Sequence, residues 1–482
     1  MHDPNNLSKG ELHRAWRLVT WAGVLGSTYY TICVNGVPRV KFLTELDATA
    51  ADFGLISGLA SFAIVFQILG GVLSNRIRRR KPLWMTMVIL HRLFFLGVLV
   101  VPMVAIDSQF RMFWIILFLF LHDMLAQTSG PMFMSWMADL LPRESLNRHW
   151  ATRQRFITIA NMFVMAALGF GFDYFETRGL IIEGFSIIAG AGILLGVIDI
   201  LLFFGIPEPS HARADKIRVL EAVLQPLKDK TFRPFLLYRG CWTLAVSIAA
   251  PFFGLYMIDE IGLRVLTVQL MGIASALGVA FAARFWGLVC DTYGARPTLQ
   301  LLTVGKILPP FVFLVVPHEP AIAVPVLTSF MFCDGVMNAG MLLATQSVLL
   351  KATPRENRTM YIAASSFLSV GIMAAAGAIF AGYLVDFLKP ILDYQWGCFA
   401  LTGFHGAFAL SVVVRASSLL LVSRMEEPGS LSVREVLSQL RARGTLRAAR
   451  QVYRWANRRN PNVAWRRRTG SLRFAIPWLL VS

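Results

Sequence analysis

Gly287-Leu-Val-Cys-Asp291-Thr-Tyr-Gly294-Ala-Arg296 closes one long apolar block, and Gly71-Val-Leu-Ser-Asn75-Arg76-Ile-Arg78-Arg-Arg80 closes another. Each places a glycine, a polar turn and an arginine between two apolar runs. Three further pairs recur at an offset of roughly 211 to 216 residues. Pro142-Arg143-Glu144 answers Pro354-Arg355-Glu356, His122-Asp123 answers Cys333-Asp334, and His91 answers Lys306. The chain therefore reads as two homologous halves.

What the halves are made of follows from composition. Of 482 residues, 56% are hydrophobic and 15% charged, against roughly a quarter charged in a soluble domain. Mean hydropathy is +0.59. The apolar residues arrive in blocks of roughly 20 to 26, the length that crosses a hydrocarbon core as helix. Lipid offers the backbone no partners, so such blocks must satisfy their own hydrogen bonds. The predicted helices are 16–36, 51–74, 83–104, 112–137, 156–174 and 185–206. A polar central loop, 207–234, follows, and then 235–258, 265–290, 298–316, 322–348, 361–384 and 398–421. Residues 1–15 form a short leading segment and 422–482 a basic tail.

With alternating loops, about 35 of the 46 Lys and Arg fall on the side of the two termini and about six on the other. Both termini are thus expected in the cytoplasm, and the net charge of +18 points to anionic headgroups rather than nucleic acid. The expected setting is a plasma membrane, the inner membrane if the source is bacterial. Cys33, Cys241, Cys290, Cys333 and Cys398 lie in or beside apolar blocks, with no disulfide framework or metal-ligand spacing. No nucleotide-binding Gly-x-x-x-x-Gly-Lys-Ser/Thr occurs, so no cofactor is expected and ATP is not the expected energy source.

At this point the chain resembles the major facilitator superfamily, over roughly residues 15 to 425. Gly287, Asp291, Gly294 and Arg296 match its Gly-x-x-x-Asp-x-x-Gly-x-Arg/Lys signature. The first copy departs from it, with Asn75 for the Asp and Arg78 for the second Gly; Gly71 and Arg76 remain as its switch-loop candidates. The resemblance implies an all-α membrane fold of two six-helix bundles, with helices 1, 4, 7 and 10 lining a central cavity. It further implies a monomer that moves a small solute, and a loop whose contacts break during the cycle. Asp291 is expected to pair with Arg296 or face a helix N-terminus.

Ionisable residues at mid-membrane are costly and usually face a cavity or a partner. Asp123 and Gln127, and Asp334 and Asn338, are i, i+4 pairs, so each helix carries a carboxylate-amide stripe. One reading is a site for a cationic or polyhydroxy solute, or for a coupling proton. The other is a structural pair, each Asp neutralised by Arg92, Arg239 or Lys306. Tyr30 and Asn35 on helix 1, and Arg239 and Trp242 on helix 7, are pocket candidates that also suit interfacial roles. His122 and Asp123 are sequence neighbours on different helix faces, which argues against an acid-base pair and an enzyme.

In the tail, Ser432-Val-Arg-Glu435 has capping-box spacing before an amphipathic stretch rich in arginine, suited to an anionic leaflet. Two rivals to secondary transport follow. One is a transporter-like receptor signalling through this tail; the other is a lipid transporter on the same fold.

Overall fold

The computed structural model describes residues 8–77, 79–104, 108–140, 146–208, 226–353, 358–392, 394–397, 399–425, 427, 430–436 and 438. The readings made on Arg78, the loops 142–144 and 354–356, Cys398, most of the central loop and the tail beyond 438 lie outside these residues.

Among the described residues, eleven helices are long and apolar enough to cross a membrane. They are α2 (Ala50–Ser74), α3 (Arg80–Met103), α4 (Phe110–Met137), α5 (Thr152–Glu176), α6 (Ile181–Gly205), α7 (Arg233–Glu260), α8 (Val265–Tyr293), α9 (Ala295–Val315), α10 (Pro320–Ala352), α11 (Tyr361–Leu388) and α12 (Gly403–Ser423). Ahead of them runs α1 (Lys9–Tyr29), extended by a π-helical turn, Tyr30–Val34. Helix α1 is the least apolar because its first half holds Lys9, Glu11, His13, Arg14 and Arg17. A short helix, Val37–Glu45, joins α1 to α2.

Besides shifts of up to four residues at other helix ends, three departures from the sequence reading each have a local reason. Helix α1 starts at Lys9, inside the leading segment, because Ser8 and Glu11 form a capping box: the Glu11 amide donates to Ser8 Oγ (3.2 Å) and the Ser8 amide to Glu11 Oε2 (2.9 Å). Helix α12 starts at Gly403 rather than 398. The residues before it form an antiparallel hairpin, Tyr394–Trp396 with Phe399–Leu401, turning at Gly397. Helix α9 is broken between Ala295–Gly305 and Leu308–Val315. Pro309 and Pro310 have no N–H to offer the carbonyls of Gly305 and Lys306 one turn earlier.

Helices α1–α6 and α7–α12 form two bundles, and α2 packs along α11 while α5 packs along α8. Twelve crossings return the chain to the face it started from, here the terminal face; the other is the distal face. On the distal side one apolar core spans both bundles, with Phe42, Phe53 and Phe185 beside Phe252, Phe313 and Phe404. On the terminal side the core is split. Trp16, Trp84, Trp136 and Phe203 belong to the first bundle alone, and Phe235, Trp286, Leu299 and Tyr361 to the second.

Candidate functional site

Carboxylates at helix N-termini organise both faces, because the first amides of a helix lack intrahelical partners and carry its positive dipole end. On the distal face these contacts cross between bundles. Asp386 of α11 accepts from the amides of Ala50 (3.1 Å) and Ala51 (2.8 Å) at the start of α2. Glu176 of α5 accepts from the Val265 amide at the start of α8 (3.2 Å), and Asp173 pairs with Arg264. Gly54 and Gly382 let α2 and α11 meet closely here: a Cβ on Gly54 would lie 2.6 Å from the Ala378 carbonyl oxygen.

On the terminal face the equivalent contacts stay within a bundle. Glu208, just after α6, accepts from the amides of Arg80 and Lys81 at the start of α3. Glu427, just after α12, accepts from the Arg296 amide at the start of α9 (2.7 Å) and pairs with Lys351 (2.7 Å). Burial alone would raise the Glu427 pKa, but Lys351 and the amides of Arg296 and Ala295 outweigh it and hold the carboxyl below its ordinary value.

This corrects the expected Asp291–Arg296 pair. Arg296 gives its guanidinium to the Ser423 carbonyl (2.7 Å), and Asp291 is exposed. Gly294 turns the chain at φ +104° and sits against Ser430, so α9 starts facing the segment after α12. Asp291, a residue on the last turn of α8, is left outside that contact. Gly71 and Gly287 face open space, and Arg76 is exposed at the end of its helix.

In the second bundle the predicted stripe is closed. Asn338 donates to Asp334 (2.8 Å), while Lys306 donates to Asp334 (2.6 Å) and to Asn338 (2.9 Å). The Lys306 carbonyl, orphaned by Pro310, accepts from Arg415 (2.5 Å), whose Nε also donates to Ser411 (3.1 Å). The Arg415 guanidinium lies 5.6 Å from the Trp242 ring. Arg239 donates to Ser365 (2.9 Å) and touches neither Asp.

The first bundle departs from the sequence reading. Gln127 accepts from Gln67 of α2 (2.7 Å), and Asp123 instead meets His122 Nδ1 (2.9 Å). These neighbours fan apart along the helix, yet the imidazole reaches back, so their placement on separate faces did not keep them apart. His122 stacks edge-on to His91 at 4.8 Å, with Tyr29 and Tyr30 about them. Arg92, considered a partner for Asp123, pairs with Asp199 of α6 (3.0 Å). Asn35 is exposed at the end of the π turn, its amide bonded to the Tyr30 carbonyl (2.8 Å), and does not join this cluster.

A cavity of about 330 Å³ opens among α1, α3, α4, α5 and α6, reaching from Trp84 and Phe203 to Tyr30, Arg92 and Asp199. Asp199, Arg153 and Arg415 were not proposed from sequence. The repeat itself was the available signal, since Asp199 and Arg415 stand at the offset that relates the other pairs.

The profile of the Major Facilitator Superfamily matches residues 22–255 and 235–481. None of the curated proteins matches. Solved structures with the same fold include a mutant of the nucleoside transporter NupG (TM-score 0.68, 13% identity, covering 86% of this chain and 100% of that one). A D-xylose-proton symporter follows at TM-score 0.60 and 14% identity over 87% and 99%. A bacterial homolog of the human lysosomal transporter Spinster, inward-facing and unoccupied, gives TM-score 0.59 and 14% identity over 88% and 100%.

Proposed function

Because the chain belongs to the Major Facilitator Superfamily, we propose that it is a secondary transporter carrying a small solute by alternating access. It is a multi-pass integral protein of the plasma membrane and a transporter rather than an enzyme. The observation that carries the reading is the divided core. Distal apolar packing is continuous across the bundles, and terminal packing is separate in each. Two bodies joined at one end can rock about that end. The excess of Lys and Arg assigns the terminal face to the cytoplasm, which makes this state inward-facing.

Proton coupling is assigned to Asp123 rather than Asp334. Asp334 is held by Lys306 and Asn338, whereas Asp123 has His122 as its hydrogen-bond partner and keeps 19% of its side chain accessible. On its helix Asp123 shares a face with Ala126 and Gly130, three and seven residues on, both of which line the cavity.

The test uses one cysteine at Ser129, which lines the cavity on α4, on a cysteine-free background. An impermeant maleimide is applied from either side of oriented vesicles. Alternating access predicts labelling from both sides; labelling from one side under every solute and pH condition contradicts it. In the same vesicles, Asp123→Asn is expected to retain solute exchange while losing pH-driven accumulation.

A further inference from the structure

We propose that the cavity of the first bundle binds the carboxylate of a small organic anion with an apolar body, a substrate class that rests on the transporter reading above. Arg92 is almost fully buried, at 3% exposure, and lines the cavity. One of its nitrogens, Nη2, is held by Asp199; its Nε and Nη1 make no hydrogen bond among the described residues. A buried guanidinium with two idle donors is expensive unless an acceptor meets it. The Tyr29 ring stacks 3.7 Å from the Arg92 guanidinium, fixing its plane.

The second cation is Arg153 of α5. It lines the same cavity, with Nε reaching the Val19 carbonyl at 3.4 Å and its guanidinium 5.1 Å from the Trp150 ring. Two guanidiniums against one carboxylate leave the lining with one positive charge. Glycines make room for both arginines: a Cβ on Gly23 would lie 2.5 Å from Arg153 Nε, and one on Gly196 would lie 2.8 Å from Arg92 Nε. Planar, forked donors suit a carboxylate better than a hydroxyl or a cation. The rest of the wall sets Trp84, Val88, Phe133 and Phe203 against Ser27, Tyr30, His91 and Ser129, and the four apolar side chains account for the apolar body. At the matching place in the second bundle, Arg415 gives its guanidinium to the Lys306 carbonyl and Ser411 instead.

The experiment uses the purified full chain in phosphatidylcholine nanodiscs, with benzoate as probe and benzamide as its neutral control. Calorimetry and thermal shift are the readouts. Saturable benzoate binding is expected, with benzamide at least tenfold weaker. Arg92→Gln and Arg153→Gln should each weaken benzoate at least tenfold, and Asp199→Asn should tighten it severalfold by removing the competing carboxylate. Should Arg92→Gln not fold, the half-exposed Arg153 decides the matter. Equal binding of benzamide, no benzoate binding at 20 mM, or unchanged affinity in folded Arg153→Gln each overturns the proposal. So does stabilisation by phosphatidylglycerol discs without any benzoate effect, which would assign the arginines to a lipid headgroup. Binding is read at equilibrium, so it fails independently of transport. Two-sided labelling at Ser129 without benzoate binding refutes only the anion pocket; benzoate binding with one-sided labelling refutes only alternating access.

Discussion

The two bundles place polar residues at matching positions and finish them differently. His91, Asp123 and Asp199 in the first stand where Lys306, Asp334 and Arg415 stand in the second. The second set closes on itself: Lys306, Asp334, Asn338, Arg415 and Ser411 satisfy one another. In the first, atoms of His91, Arg92 and His122 make no hydrogen bond among the described residues, and His91 and Arg92 line a cavity. Duplication therefore preserved where the membrane interior is polar but not what the polarity does. A closed network fixes a helix break; an open one is free to meet a solute or a proton.

The sharpest way to break this contrast is to remove one carboxylate from each bundle and compare thermal unfolding in nanodiscs. Asp334→Asn strands the Lys306 ammonium and should cost about 3–5 kcal/mol. Replacing both partners, Lys306→Met with Asp334→Leu, should recover most of that loss. Asp199→Asn should cost roughly 1–2 kcal/mol, because Arg92 already opens on a polar cavity. Equal losses at the two sites would erase the distinction.

The next effect concerns the faces. Glu176→Gln with Asp386→Asn removes the charge from both distal helix caps, and should weaken distal closure by about 1–2 kcal/mol. That is a roughly five- to thirty-fold shift in the ratio of conformers, readable from distances between spin labels. Matching distributions in wild type and variant would demote the distal caps to ordinary helix ends.

The smallest effect is at Glu427, where Glu427→Gln should lose about 1 kcal/mol at pH 7. Its folded-state pKa is depressed from 4.5. Its contribution is therefore present above that value and lost as pH falls through the folded pKa. The thermal-stability gap between wild type and variant should be full at pH 7 and close in acid. A gap that persists at pH 3 would mean that packing, not charge, holds this contact.

The architecture was legible in the sequence because it follows from local quantities: block length, charge between blocks, and a repeat offset. The Asp334–Asn338 stripe was legible for the same reason, as an i, i+4 relation on one helix. So was the capping box at Ser432, where the Glu435 amide donates to Ser432 Oγ (3.3 Å) and the Ser432 amide to Glu435 (2.8 Å). Partners drawn from other helices were not legible. Nothing in the spacing says that Gln127 turns to Gln67, that Arg92 takes Asp199, or that Glu427 displaces Asp291 as the acceptor at Arg296. The break in α9 was available from Pro309-Pro310, but its consequence, a free Lys306 carbonyl for Arg415, needed the fold.

Paired spin labels test most directly whether the bundles rock about a distal closure. One pair, Arg178→Cys with Gln395→Cys, spans the distal face; the other, Arg76→Cys with Arg424→Cys, spans the terminal face. All four positions are exposed. The account predicts that Glu176→Gln with Asp386→Asn lengthens the distal distance while the terminal distance shortens. Distances that move in the same direction, or do not move at all, would contradict it.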